Sequence, residues 1–192
     1  MLIDESQIRW RQFVSGDEHA YSWIYTRYVR KLLQYGLCFT SDRELVKDCI
    51  QDIFVYLYSN KEKLETCDNI KYYLFAAFRN NLVRAIYKAS AFNELPEDPP
   101  FHIELTVEEQ FIQNEQYMAE SKKVENLLSL LTSRQKEIIY YRFIQGMSME
   151  EICGLMNLNY QSAQNLIQRS LKKMRASQTD VEFLLLLLSF LQ

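Results

Sequence analysis

The 192-residue chain has 4 glycines and 3 prolines, where average usage would supply about 13 and about 10. Sandwiches and barrels need many Gly-rich turns, and α/β enzymes need several Gly-bearing loops. So few turn residues point to long helices and an all-α fold. Gly16, Gly36, Gly146 and Gly154 lie in no G-x-x-x-x-G-K or G-x-G-x-x-G string, which excludes the usual phosphate-binding loops. The two histidines, His19 and His102, cannot build a His-rich metal site. Cys38, Cys49, Cys67 and Cys153 form no C-x-x-C pair, so no structural zinc and no other cofactor is expected. Three of them border apolar runs and read as buried thiols in a reducing cytoplasm. The opening Met1-Leu2-Ile3-Asp4-Glu5 is acidic within five residues, unlike a signal peptide. The apolar run at residues 183–191, interrupted by Ser189, is about half of the roughly 20 residues a membrane span needs.

Basic residues are also missing from one long stretch. Residues 89–121 contain no Lys or Arg and 8 acids. Residues 1–88 carry 13 basic and 11 acidic side chains, and residues 122–175 carry 9 and 4. Two neutral-to-basic blocks therefore flank an acidic connector, which also holds all three prolines, Pro96, Pro99 and Pro100. We read residues 1–90 and 120–177 as two small helical domains, 91–119 as an acidic linker and 178–192 as an apolar tail.

Helical spacing of apolar residues predicts two helices over residues 4–35, broken at Ser15-Gly16-Asp17. A third helix is expected to start at a Ser41/Glu44 capping box and run to about residue 60, and a fourth to cover about residues 70–90. Beyond the linker, residues 107–131 read as helical. Thr132/Gln135 and Ser148/Glu151 are further capping boxes, and Asn157-Leu158-Asn159 is a turn that uses the left-handed tolerance of Asn. The last helix runs from residue 160 to about 176, with Ala163, Ile167, Ser170, Leu171 and Met174 on its inner face.

A short capped helix, a three-residue turn and a longer basic helix make a helix-turn-helix. Gln161, Ser162, Gln164, Asn165 and Gln168 are placed to meet base edges, because an amide offers a donor and an acceptor together. Arg169, Lys172, Lys173 and Arg175 lie further along, where phosphates are met. The same spacing also fits an ordinary helical hairpin with a solvated polar face. In the first domain, Asp48-Cys49-Ile50-Gln51-Asp52-Ile53-Phe54 reads as an amphipathic helix with Asp48, Gln51 and Asp52 outward. The helix from Lys71 interleaves aromatics with cations, as single-stranded nucleic acid sites do, although rings at this spacing are also ordinary core.

These motifs, in this order across an acidic linker, resemble the extracytoplasmic-function type of sigma factor of bacterial RNA polymerase, in the sigma-70 family. In the family string D-x-V-Q-[DE]-V-F-x-x-[LV]-W stand Asp48, Ile50, Gln51, Asp52, Ile53, Phe54, Leu57 and Tyr58, with Ile for both Val and Tyr for Trp. Where the family has W-L-x-x-I-A-R-N, this chain has Tyr73-Leu74-Phe75-Ala76-Ala77-Phe78-Arg79-Asn80, which keeps Leu74, Arg79 and Asn80 and departs at Tyr73, Ala77 and Phe78. In the second domain L-P-x-R-[QE]-R-E-V-[IF] and G-[LM]-S-x-E-E-I-A correspond to the stretches from Leu131 and from Gly146, with departures at Thr132, Lys136, Ile138 and Cys153. Gln164 and Leu166 stand where the family has cations, which implies fewer phosphate contacts and a shallower salt dependence. The amide-rich surface is similar to sigma factors from Bacteroides-like bacteria.

The resemblance implies a cytoplasmic binding protein, not an enzyme, with core RNA polymerase, promoter DNA and an anti-sigma factor as partners. It implies that Asp48, Gln51, Asp52 and Phe54 dock on the clamp helices of the polymerase. The loop at residues 67–71 and the following helix would open the minus-10 element through Asn69, Lys71, Tyr72, Tyr73, Arg79 and Asn80. The minus-35 element would be read by Arg134, Gln161, Ser162, Gln164, Asn165, Gln168, Arg169, Lys172 and Lys173. The linker would lie along the path of nascent RNA. The alternative is a stand-alone helix-turn-helix regulator with a helical sensor domain, for which the Asp48–Phe54 string has no evident use. The tail, with nine large apolar residues among residues 181–192, is expected to be buried against protein. It either completes the second domain's core or holds the two domains closed.

Overall fold

A computed structural model of the chain describes residues 5–64, 69–89, 99–103, 122 and 124–175. Among these residues every regular element is helical. The chain divides into two compact units, Met1–Glu97 and Asp98–Gln192. The tail and most of the expected helix at 107–131 lie outside the described residues.

The first unit is built from α1 (Glu5–Val14), α2 (Glu18–Leu37), α3 (Arg43–Ser59), a 3-10 turn at Lys61–Leu64 and α4 (Ile70–Ala89). Gly16, at φ +102°, provides the left-handed step that ends α1. Asp17 then caps α2, accepting from the backbone N–H groups of His19 and Ala20. The next cap differs from the expected Ser41/Glu44 box. Asp42 is the N-cap of α3 and accepts from Leu45 N at 3.0 Å. That cap places Glu44 one position too early to close a box, and its carboxylate pairs with Lys47 at 2.6 Å instead. Trp10, Phe13, Ile24, Leu32, Leu74 and Phe78 lie in the shared core. A Cβ on Gly36 would sit 2.5 Å from Val46 Cγ1 and 2.8 Å from Phe78 Cζ. Glycine is therefore what lets α2, α3 and α4 approach so closely at that point.

The second unit contains a helical segment at residues 124–129, here α5, followed by α6 (Ser133–Ile139), α7 (Met149–Met156) and α8 (Tyr160–Arg175). Both expected capping boxes form: Thr132 with Gln135 at α6, and Ser148 with Glu151 at α7. Helix α6 widens into a π-helical turn at Tyr140–Ile144 and stops at Gly146, which has φ +59°. Asn157 adopts the left-handed conformation at φ 50° and ψ 50° and ends α7. The break between units falls inside the segment read as a linker, yet residues 99–103 are not free chain. Pro99 is buried, and Phe101 is fully buried with its ring edge-on to Tyr140, centroids 5.6 Å apart.

Candidate nucleic-acid and protein interfaces

In the second unit α7, the Asn157 turn and α8 form a helix-turn-helix. Asn159 starts α8 by accepting from Ser162 N at 2.8 Å. Ala163, Ser170 and Met174 face inward, whereas Ile167 and Leu171 are half-buried. Ser170 satisfies its hydroxyl by donating to Leu166 O at 2.7 Å. The opposite face exposes Gln161, Gln164, Gln168, Arg169 and Lys172, with Ser162 and Asn165 half-buried beside them. The expected base-reading residues thus share one face. Gln161 and Asn165 are joined: Gln161 Nε2 donates to Asn165 Oδ1 at 3.1 Å.

Two residues assigned to phosphates differ in their surroundings. Lys172 and Lys173 are both exposed, but Lys173 Nζ also donates to Gln135 Oε1 at 3.2 Å. The buried Gln135 also accepts from Thr132 N at 3.1 Å. One side chain therefore closes the α6 capping box and anchors the far half of α8. Arg134 is half-buried in the first turn of α6. Sequence reading passed over Tyr160, which is 55% exposed at the head of α8; its place just after the turn residues was the available signal.

In the first unit Asp48, Gln51 and Asp52 are exposed along α3, as expected. Phe54 is different: it is only 2% exposed. Its ring lies edge-on to Tyr25 at 4.9 Å and to Tyr21 at 6.2 Å, and Tyr21 Oη donates to the Phe54 carbonyl at 3.0 Å. Burial raises the Tyr21 phenol above its ordinary pKa, and the neighbouring Tyr25 and Tyr58 add to the rise. Phe54 instead lines a groove of about 320 Å³ between α2 and α3, together with Tyr25, Val29, Leu33, Ile50, Gln51 and Val55. Tyr25 and Val55 are 44% and 57% exposed, so apolar surface continues onto the groove's rim. The signal for this groove was a second stripe on α2, Tyr21, Tyr25, Val29 and Leu33, one residue out of step with the core stripe Ala20, Ile24, Tyr28 and Leu32. Beneath the acidic face, burial pushes the Cys49 thiol up to about 11, with the Asp52 and Asp48 carboxylates contributing.

The expected minus-10 residues divide. Cys67 and Asp68 lie outside the described residues. The expected loop ends earlier than residue 71, because Ile70 and Lys71 already belong to α4. Asn69 spends its side-chain carbonyl on Tyr72 N at 3.0 Å and acts as the helix cap. Tyr72 and Arg79 are two turns apart on one line of α4, and Tyr73 and Asn80 on the next. Asn80 is exposed; Lys71, Tyr72, Tyr73 and Arg79 are half-buried. Tyr73 packs its ring 6.3 Å from Trp10. Phe75 and Phe78, in contrast, are fully buried core.

No group of three or more metal-ligating side chains occurs among the described residues, and no described helix is long and apolar enough to cross a membrane. A comparison with curated proteins finds no match. Among solved structures, the chain is similar to that described as the structure of CnrH in complex with the cytosolic domain of CnrY. The TM-score is 0.60 and the identity 21%, over 91% of this chain and 97% of that one. Residues 121–174, the span that carries the helix-turn-helix, match the family model described as Sigma-70, region 4.

Proposed function

We propose that the chain is a sigma factor of the extracytoplasmic-function type, which binds core RNA polymerase and directs it to specific promoters. The observation that carries this reading is the coincidence of the Sigma-70, region 4 match with a helix-turn-helix whose α8 turns an amide-rich face outward. In this reading α8 lies in the major groove of the minus-35 element. The exposed amides meet base edges, while Arg169 and Lys172 meet phosphates. Tyr72, Tyr73, Arg79 and Asn80 of α4 hold the opened minus-10 strand, where rings stack on bases and cations meet the backbone. Lys71 and the Asn69 cap set the start of that helix.

The polymerase is met by the first unit. Asp48, Gln51 and Asp52 supply polar contacts, and the groove beside them receives apolar side chains, with Phe54 as its support. This arrangement suits a helical partner, because a helix in a groove buries an apolar stripe and leaves its polar flanks to the rim. CnrH is held in a complex with the cytosolic domain of CnrY. By analogy, a protein regulator of the anti-sigma kind belongs to the proposal, as does action in the cytoplasm of a Bacteroides-like bacterium. In this reading the acidic connector meets the path of nascent RNA, and Phe101, among its described residues, packs on Tyr140 within the second unit.

The test is reconstitution with purified core polymerase of the host and a library of its genomic promoter fragments. The chain should co-purify with core enzyme and start transcripts at a defined subset of fragments. Tight binding to duplex DNA as a dimer, without association with core enzyme, would instead establish the stand-alone regulator.

A further inference from the structure

Gln161 and Asn165 occupy successive turns of α8, and their amide heads are hydrogen-bonded at 3.1 Å. Gln161 is exposed and Asn165 half-buried, so the pair sits at the surface with Asn165 nearer the helix body. A lone Gln or Asn reads adenine by turning both its carbonyl and its amino group to the same base. Here the Asn165 carbonyl is engaged by one Gln161 N–H, so Asn165 offers N–H donors while Gln161 keeps its carbonyl and one N–H. The groups that this bond leaves unengaged are the Gln161 carbonyl, its second N–H and the Asn165 amino group. Reversing the bond leaves the same set, one carbonyl and N–H donors, with the names exchanged.

Resting on the sigma-factor reading above, we propose that Gln161 and Asn165 act as one base-reading unit for a single adenine–thymine pair. Gln161 also holds Asn165 in position for it. In the major groove the adenine edge sets an acceptor, N7, beside a donor, the N6 amino group. The pair answers both, with an Asn165 N–H to N7 and the Gln161 carbonyl to N6. A guanine edge carries two acceptors, so it would take the N–H groups and strand the carbonyl against them, and a buried acceptor left unpaired is costly. Thymine and cytosine edges use only part of the set.

A coupled pair differs from two independent readers in a double-mutant comparison. The full-length chain bound to core polymerase is used to select duplexes randomised over the upstream promoter element. Affinities for single base-pair substitutions are then measured for the wild type, Gln161→Ala, Asn165→Ala and the double variant. Circular dichroism checks that α8 survives these surface changes. Each single variant should lose about tenfold of the discrimination at the same adenine–thymine position, and the double variant should lose little more than either. Losses at two different positions, losses that multiply in the double variant, or variants that keep full discrimination would each overturn the pair. A wild-type complex that selects no sequence at all would overturn the sigma-factor reading, and the pair with it. Lys172→Ala provides the internal contrast, weakening all duplexes alike without altering which base is preferred.

Discussion

Phe54 and Asp52 stand two residues apart in one motif, yet their surroundings assign them different work. Phe54 is 2% exposed beneath Tyr21 and Tyr25. Removing a buried Phe ring costs about 3–5 kcal/mol. The open groove lets water and the Tyr25 ring occupy part of the space, so Phe54→Ala should fall near about 3 kcal/mol. Asp52 is exposed on α3, and such surface substitutions usually stay within about 0.5 kcal/mol. The two tryptophans, Trp10 and Trp23, both lie in the first unit, so fluorescence during urea unfolding reports on that unit alone. With a urea dependence of about 1–3 kcal/mol per molar, Phe54→Ala should lower the midpoint by roughly 1–3 M, and Asp52→Ala should leave it in place. Affinity for core polymerase, measured well below both midpoints, should drop for Asp52→Ala. A Phe54→Ala protein with an unchanged midpoint and lost polymerase binding would refute the assignment of Phe54 to the groove's support.

Three further outcomes follow from specific contacts. Gly36→Ala places a methyl 2.5 Å from Val46 Cγ1 and should cost the first unit about 1–3 kcal/mol by overpacking, read by the same fluorescence unfolding. The Cys49 thiol is raised from 9.0 to about 11, so the folded state holds its proton longer than the unfolded chain. Its stabilising contribution is complete below pH 9, declines as pH rises and is gone above about 11; Cys49→Ala should flatten the alkaline limb of stability measured against pH. Lys172→Ala should reduce the salt dependence of DNA binding by about one unit. Lys173→Ala should reduce it less and also lower second-unit stability, because its ammonium is held by Gln135; an equal salt effect for both lysines, measured by titration against potassium chloride, would contradict that contact.

What was legible in the sequence was what is decided within a few residues. The Thr132/Gln135 and Ser148/Glu151 boxes and the left-handed Asn157 were all readable, because a cap or a turn is satisfied by its own neighbours. The shared outward face of Gln161, Gln164 and Gln168 followed from helical periodicity alone. Where two local solutions competed, as at Ser41 and Asp42, sequence spacing could not rank them. The path of the chain at Thr40 selected Asp42, whose backbone N–H bonds Thr40 Oγ1 at 3.1 Å.

The division of α3 and α8 into contact-making and supporting residues belonged to the tertiary structure. Periodicity marks a residue as apolar and on a given face, but not which other helix covers that face. Phe54 became buried because the out-of-step stripe of Tyr21 and Tyr25 on α2 packs over it. Lys173 became an anchor because Gln135, 38 residues earlier, comes within hydrogen-bonding distance. Phe101, in a segment whose charge suggested solvated chain, is held by Tyr140. In each case the deciding partner is remote in sequence, and the free energy of burial or of a shared hydrogen bond exists only once both elements are in place.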